Sequence, residues 1–296
     1  MTAAVEVTTE AGVTSNLDQL VQQGVDGVTG LMRVPEKRGT NLVVPGQHGE
    51  LHIPGKRYGA AAVVLPMWVR GVTPDGRVPG LSDESARLAF HANLRALVSL
   101  FTLDEQVTLT HRLTDGTKRV ISGEVIATVE PEVRGSGRNT LGQFTVALNC
   151  PHPFWTEPDD TSATLTSHAT VPTTLAGLVG ADAPMEDLQV VIGPSTNPRF
   201  EQAATGIWMQ YGGVVGAGQT LTIDTSNDPQ TGFSAVGSGG LVVDYRQLTY
   251  GQPGVRTTNR WFALKPEPAG PKVLFTHTGG PAATATLTTR RKFKIA

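Results

Sequence analysis

Punctuation rules out helix along almost all of this chain. Glycine fills 34 of the 296 positions and proline 20, scattered without a strict period. Such spacing excludes collagen and points to many short strands joined by turns. One stretch escapes, residues 81–101, LSDESARLAFHANLRALVSLF. Ser82 can cap a helix there, and Asp83 and Glu84 suit the positive end of its dipole. Phe90, Leu94, Leu97, Val98 and Phe101 fall on one stripe, fit to pack on a sheet. The expected fold class is therefore mainly β, with one α-helix in the first half.

Around that helix the pattern is strand and turn. Leu42-Val43-Val44 and Leu51-His52-Ile53 are followed by Pro45-Gly46 and Pro54-Gly55, pairs that suit tight turns. Ala60 to Arg70, AAAVVLPMWVR, reads as a buried strand, with Pro66 suggesting an edge position or a bulge. Val107, Leu109, His111 and Leu113 alternate up to Asp115-Gly116, a hairpin signal, and Val125, Ala127 and Val129 alternate on the return. Phe144, Val146, Leu148 and Cys150 alternate again. Before residue 35, Leu17, Leu20, Val21 and Val25 have a helical spacing that Gly24, Gly27 and Gly30 weaken.

After Trp155 the composition turns polar and short-chained, and no convincing helix follows. Strand-like runs cover 188–192, 206–211, 220–224, 241–243, 260–264, 273–275 and 283–289. Their spacing suits a β-sandwich or jelly roll. Two domains are expected, 1–156 and 157–296. The stretch NCPHPFW at 149–155 lies at the boundary. Pro151 and Pro153 stiffen it toward an extended form, and Phe154 and Trp155 offer an apolar anchor, which marks an interdomain junction.

Lysine plus arginine is 24 and aspartate plus glutamate 26, so the net charge is 24 − 26 = −2. A chain so balanced has no overall attraction for nucleic acid or an anionic bilayer. The basic run at 290–294, RRKFK, is one candidate for a local patch, and it reads as a charged edge strand. With one cysteine, Cys150, no intrachain disulfide can form. Met1 to Thr14 has neither a basic start nor an apolar core, so no secretion signal is expected. No apolar run approaches the ~20 residues that cross a membrane.

No pattern of reactive chemistry stands out. His48 and His52 are four apart, but Gly49 takes the place that a zinc protease gives to its glutamate base. Cys150 and His152 would point the same way on an extended segment, without a third group to orient them. No G-x-S-x-G elbow, Walker loop or dinucleotide fingerprint occurs, and Gly216-Ala217-Gly218 precedes a strand. Asp182, Glu186, Asp187 and Asp224 are dispersed. No cofactor, metal or catalytic residue is expected. Trp208, Tyr211 and Trp261 are candidates for stacking on a sugar ring, although Trp208 and Tyr211, three apart, would face opposite sides of a regular strand.

Two blocks carry a resemblance. The first comprises RGTNLVVPGQHGELHIPGKRYGAAAVVLPMWVRG (38–71), the 81–101 helix and FTVALNCPHPFW (144–155). It resembles the N-terminal belt domain of the distal tail protein (Dit) family of long, non-contractile phage tails. The second comprises GPSTNPRFEQAATGIWMQYGGVVGAGQTLTIDTSN (193–227) and RWFALKPEPAGPKVLFTHTGG (260–280). It resembles that family's galectin-like C-terminal β-sandwich. The variant is similar to the minor tail proteins of actinobacteriophages.

The resemblance implies an architectural virion protein, not an enzyme. Six copies would form a homo-oligomeric ring at the tail tip or baseplate, assembled in the host cytoplasm. The ring would join the tail tube protein to the baseplate hub or tail-associated protein. Tape-measure protein and DNA would pass through its lumen without specific binding, and no membrane is involved. Such a ring is a closed heterologous assembly. Competing readings are a carbohydrate-binding tail adhesin, which glycan binding would reveal, and a tail-tube subunit, which would form long tubes.

Overall fold

The structure is a computed structural model. It describes residues 4–17, 23–25, 34–38, 42–43, 50–51, 57–78, 80, 82–102, 105–127, 132–134, 141–167, 171–225, 234–251 and 262–296. Pro45-Gly46, Pro54-Gly55, His48, His52 and Trp261 lie outside them. The chain divides into two compact units, 1–156 with 294–296, and 157–293.

The first unit is built on one antiparallel sheet. Seven strands lie side by side in the order Thr14–Asn16, Ala4–Thr9, Gln106–Arg112, Lys118–Val125, Leu141–Cys150, Ala61–Arg70, Gln23–Val25. Alternation sends one set of side chains into the core: Val5 and Val7, Leu109, Ile121, Val146 and Leu148, Val63 and Leu65 are all buried. Residues 4–9 were not legible as a strand. The helical spacing after Leu17 is not realised either, because Gln23–Val25 pairs with Met67–Val69 as an edge strand. The return strand of the central hairpin is Lys118–Val125, closing earlier than the alternation at 125–129 suggests, and Arg112 pairs with Lys118 across the turn.

Pro66 marks no bulge, and its own position is paired on one side only among the described residues. Ala61–Arg70 is an interior strand in unbroken register with Leu141–Cys150, Pro66 facing Thr145. On its other side the ladder covers only Met67 to Val69. One-sided pairing of this kind is where a proline is tolerated within a sheet.

Helix α1 (Asp83–Val98) braces this sheet. The Ser85 N–H donates to the Ser82 hydroxyl at 3.2 Å, the cap expected from sequence. Ala86, Phe90 and Leu97 are buried and Phe101 follows them, while Leu94 and Val98 are half-buried. The approach is close: a Cβ added at Gly142 would stand 2.9 Å from the Phe90 ring. The Asn93 amide donates to the carbonyls of Arg70 and Val72, at 2.8 Å each, and so ties the helix to the end of a strand.

The second unit is a β-sandwich. One five-stranded antiparallel sheet runs Thr161–Thr166, Thr284–Thr289, Gln189–Ile192, Thr220–Asp224, Ser234–Ser238. The other runs Thr173–Thr174, Lys272–Thr276, Arg199–Gln202, Trp208–Tyr211, Leu248–Gly251. Their inner faces merge in one core that includes Leu165, Val190, Ile223, Phe200, Met209 and Phe275. Among the described residues no α-helix occurs here, only 3-10 turns at Ala176–Leu178 and Tyr245–Gln247. The apolar run 241–243 is not a strand: Gly239 and Gly240 both take positive φ, and Val242 is 88% exposed.

Candidate functional site

The junction residues are the first candidates. Pro151 and His152 are exposed, Pro153 is half-buried, and Phe154 and Trp155 are 6% and 2% exposed. Both aromatics pack inside the first unit. Phe154 meets the Tyr58 ring edge-on at 4.9 Å, and Trp155 meets His111 edge-on at 6.3 Å. Thr156, next in the chain, pairs with Val120 of the main sheet. These two side chains therefore add to the core of the unit that precedes residue 157.

Cys150 and His152 do not form a pair. Cys150 ends a sheet strand with its thiol fully buried, whereas His152 is exposed. Burial pushes the thiol up to about 12, so at neutral pH it is protonated and not nucleophilic. Iodoacetamide at pH 8 should leave Cys150 of the folded chain unmodified over hours and alkylate it within minutes in denaturant, read by mass. Fast alkylation of the folded chain would contradict this burial.

Three of the four cations of the basic run are paired within the second unit. Arg290 Nε donates to Asp160 at 2.6 Å, Arg291 Nε to Glu157 at 2.6 Å, and Lys292 Nζ lies 2.7 Å from Asp187. With three of its four cations consumed by three carboxylates, the run is a poor phosphate-binding patch. This also gives Asp187 a structural role, and no three His, Cys, Asp or Glu groups come together among the described residues.

The aromatic candidates separate as the strand period requires. Tyr211 is 3% exposed, within the sandwich core. Trp208 lies on the opposite, outer face of its sheet, half-buried. Its indole lies over Gly251, directly across on the edge strand, and the Arg199 guanidinium stands 4.4 Å from its ring centre. Arg199 also bonds Glu201 at 2.6 Å. A sugar ring would first have to displace this cation from the indole. The first unit repeats the device: Trp68 covers Gly24 of the edge strand, where a Cβ would stand 2.6 Å from the indole, with Arg70 5.0 Å from its centre. In both places glycine makes room for a tryptophan that holds down a short edge strand.

A hollow of about 250 Å³ opens beside the edge strand Thr161–Thr166, lined by Thr161, Ala163, Leu175, Gly177, Leu178 and Leu287. It has no titratable group in its lining and so no means of acid–base chemistry. No helix among the described residues is long and apolar enough to cross a membrane. What the described residues offer is architecture: a curled sheet braced by one helix, then a sandwich.

Sequence comparison adds no family: no family model and no curated protein matches the chain. The fold does match. The crystal structure of the Dit (gp 19.1) protein of phage SPP1, described as a paradigm of the hub adsorption apparatus in phages infecting Gram-positive hosts, superposes with a TM-score of 0.60. The match spans 98% of this chain and 99% of that one at 14% identity, so this mainly β chain, with one α-helix among its described residues, shares the fold of a phage Dit protein.

Proposed function

We propose that this chain is a structural protein of a phage tail, a distal tail protein that forms a ring between the tail tube and the tail-tip hub. The observation that supports it is the end-to-end likeness of fold to the SPP1 Dit protein, covering both units. Fold by itself does not fix function, so the sites must agree. This reading is compatible with a buried thiol, with Arg290, Arg291 and Lys292 each paired to a carboxylate, and with a hollow lined by untitratable groups. In this reading identical copies join side to side, six to a ring. Their common lumen continues the channel for tape-measure protein and DNA, and the second unit is the galectin-like domain facing outward.

Electron microscopy of the purified chain at micromolar concentration tests this directly. The expected result is discrete closed rings with a central opening, located at the tail tip when a virion is labelled with antibody. Particles that stay solitary at all concentrations, together with a virion position away from the tip, would overturn it. Long open tubes would favour the tail-tube reading instead.

A further inference from the structure

His111 is the buried titratable group that an architectural role leaves without a purpose. It sits on the core face of Gln106–Arg112, 3% exposed, and its Nδ1 is buried without a hydrogen-bond partner among the described residues. The neighbours that face it are known from the register. On one side, across the ladder, is apolar Val5; on the other is Arg119, and the Trp155 ring closes against it edge-on. Arg119 is the one charge among them. The nearest carboxylate on these strands, Glu6, points to the opposite face, as alternation requires, and there it pairs with Arg112 at 3.6 Å.

Arg119 has a second task. Its Nη1 donates to the Ile295 carbonyl at 2.8 Å. Residues 294–296 belong to this unit although the chain has left it at 156, and Arg119 is one of the groups that hold them. We propose that His111 and Arg119 form an acid-sensitive latch: protonation of His111 drives the Arg119 guanidinium off the Ile295 carbonyl and frees residues 294–296 from the sheet.

The physics has a definite sign. Burial, and next the Arg119 charge, lower the His111 pKa below its ordinary 6.5. The latched form thus holds neutral His111, while an opened form binds a proton more readily. The contribution of the latch is complete above about pH 6.5 and is lost as pH falls from there through the lowered value. An imidazolium at buried His111 and the guanidinium of its cross-strand neighbour Arg119 repel, and leaving the carbonyl for solvent is the outlet open to half-buried Arg119.

Hydrogen exchange on the full chain, with rates corrected for intrinsic pH dependence, reads the latch. The amides of residues 294–296 should open up to about tenfold more readily per pH unit below 6.5, and His111→Gln should flatten that dependence. A flat wild-type profile, or an unchanged slope in His111→Gln, overturns the latch. If that variant fails to fold, histidine carbon-13 spectra of the wild type decide. His111 must titrate with a midpoint below 6.5, at the pH where the rise in exchange levels off, and a mismatch of the two sinks the proposal.

Discussion

Trp155→Ala should unfold the first unit at markedly lower denaturant than the wild type, with a loss of about 3–5 kcal/mol. Proline-flanked aromatics at a domain boundary suggest an apolar anchor of the junction, for which truncation would loosen interdomain geometry without abolishing either fold. The indole is instead 2% exposed and closes the core beside His111. Truncation leaves a cavity that the neighbouring sheet cannot collapse to fill, because Thr156 is fixed in register with Val120. A domain of this size is stable by only about 5–15 kcal/mol, so the change removes a large share. Exchange of the Leu65 and Val146 amides, in the middle of the sheet, should accelerate by at least about a hundredfold. If their rates stay within threefold of wild type, Trp155 does not hold up this core and its role is confined to the junction.

The elements the sequence announced are those in which one local period decides everything. α1 carries its cap, its acidic first turn and its stripe within 21 residues, and the structure realises all three. Leu141–Cys150 is likewise visible because every second residue from Phe144 is apolar and buried. Where a strand's outward residues are long and charged the signal fades. Arg199–Gln202 follows an Asn-Pro turn, Asn197 taking a positive φ of 51°, and shows only Phe200 as apolar. Ala4–Thr9 offers just two valines, and Leu241–Val243 has the residues of a strand but two left-handed glycines before it.

The candidate site was less legible, for a reason of distance. The charge of 290–292 can be read locally, but its neutralisation cannot, since Asp160, Glu157 and Asp187 lie more than 100 residues away. The same holds for His111: the alternation at 107–113 sets it on the apolar face, but its neighbours come from residues 5, 119 and 155 and cannot be read locally. Buried polar anchors share this invisibility. Gln202 is fully buried and its amide donates to the Lys265 carbonyl and to Glu267, at 2.8 Å each, which pins the LKPEP segment to the sandwich.

Phe200→Ala should have the corresponding effect on the sandwich, again about 3–5 kcal/mol, now in the second unit. Phe200 and Phe275 are direct cross-strand partners, and their rings stack at 4.7 Å with planes only 4° apart. Both are buried, and Met209 opposes Phe200 on its other side, so the cavity would open at the centre of a sheet, away from any edge that could relax. Most of the loss comes from burial, and a smaller share belongs to the pair. Phe275→Ala alone should cost a similar amount, and the double variant should cost less than the sum by about 0.5–1.5 kcal/mol, the coupling of two stacked rings. Urea unfolding followed through Trp208, on the opposite face of the same sheet, gives all four corners of the cycle. Strict additivity would mean that the rings fill space independently. A single-variant loss below about 1 kcal/mol would mean that the sandwich core does not close around Phe200 at all.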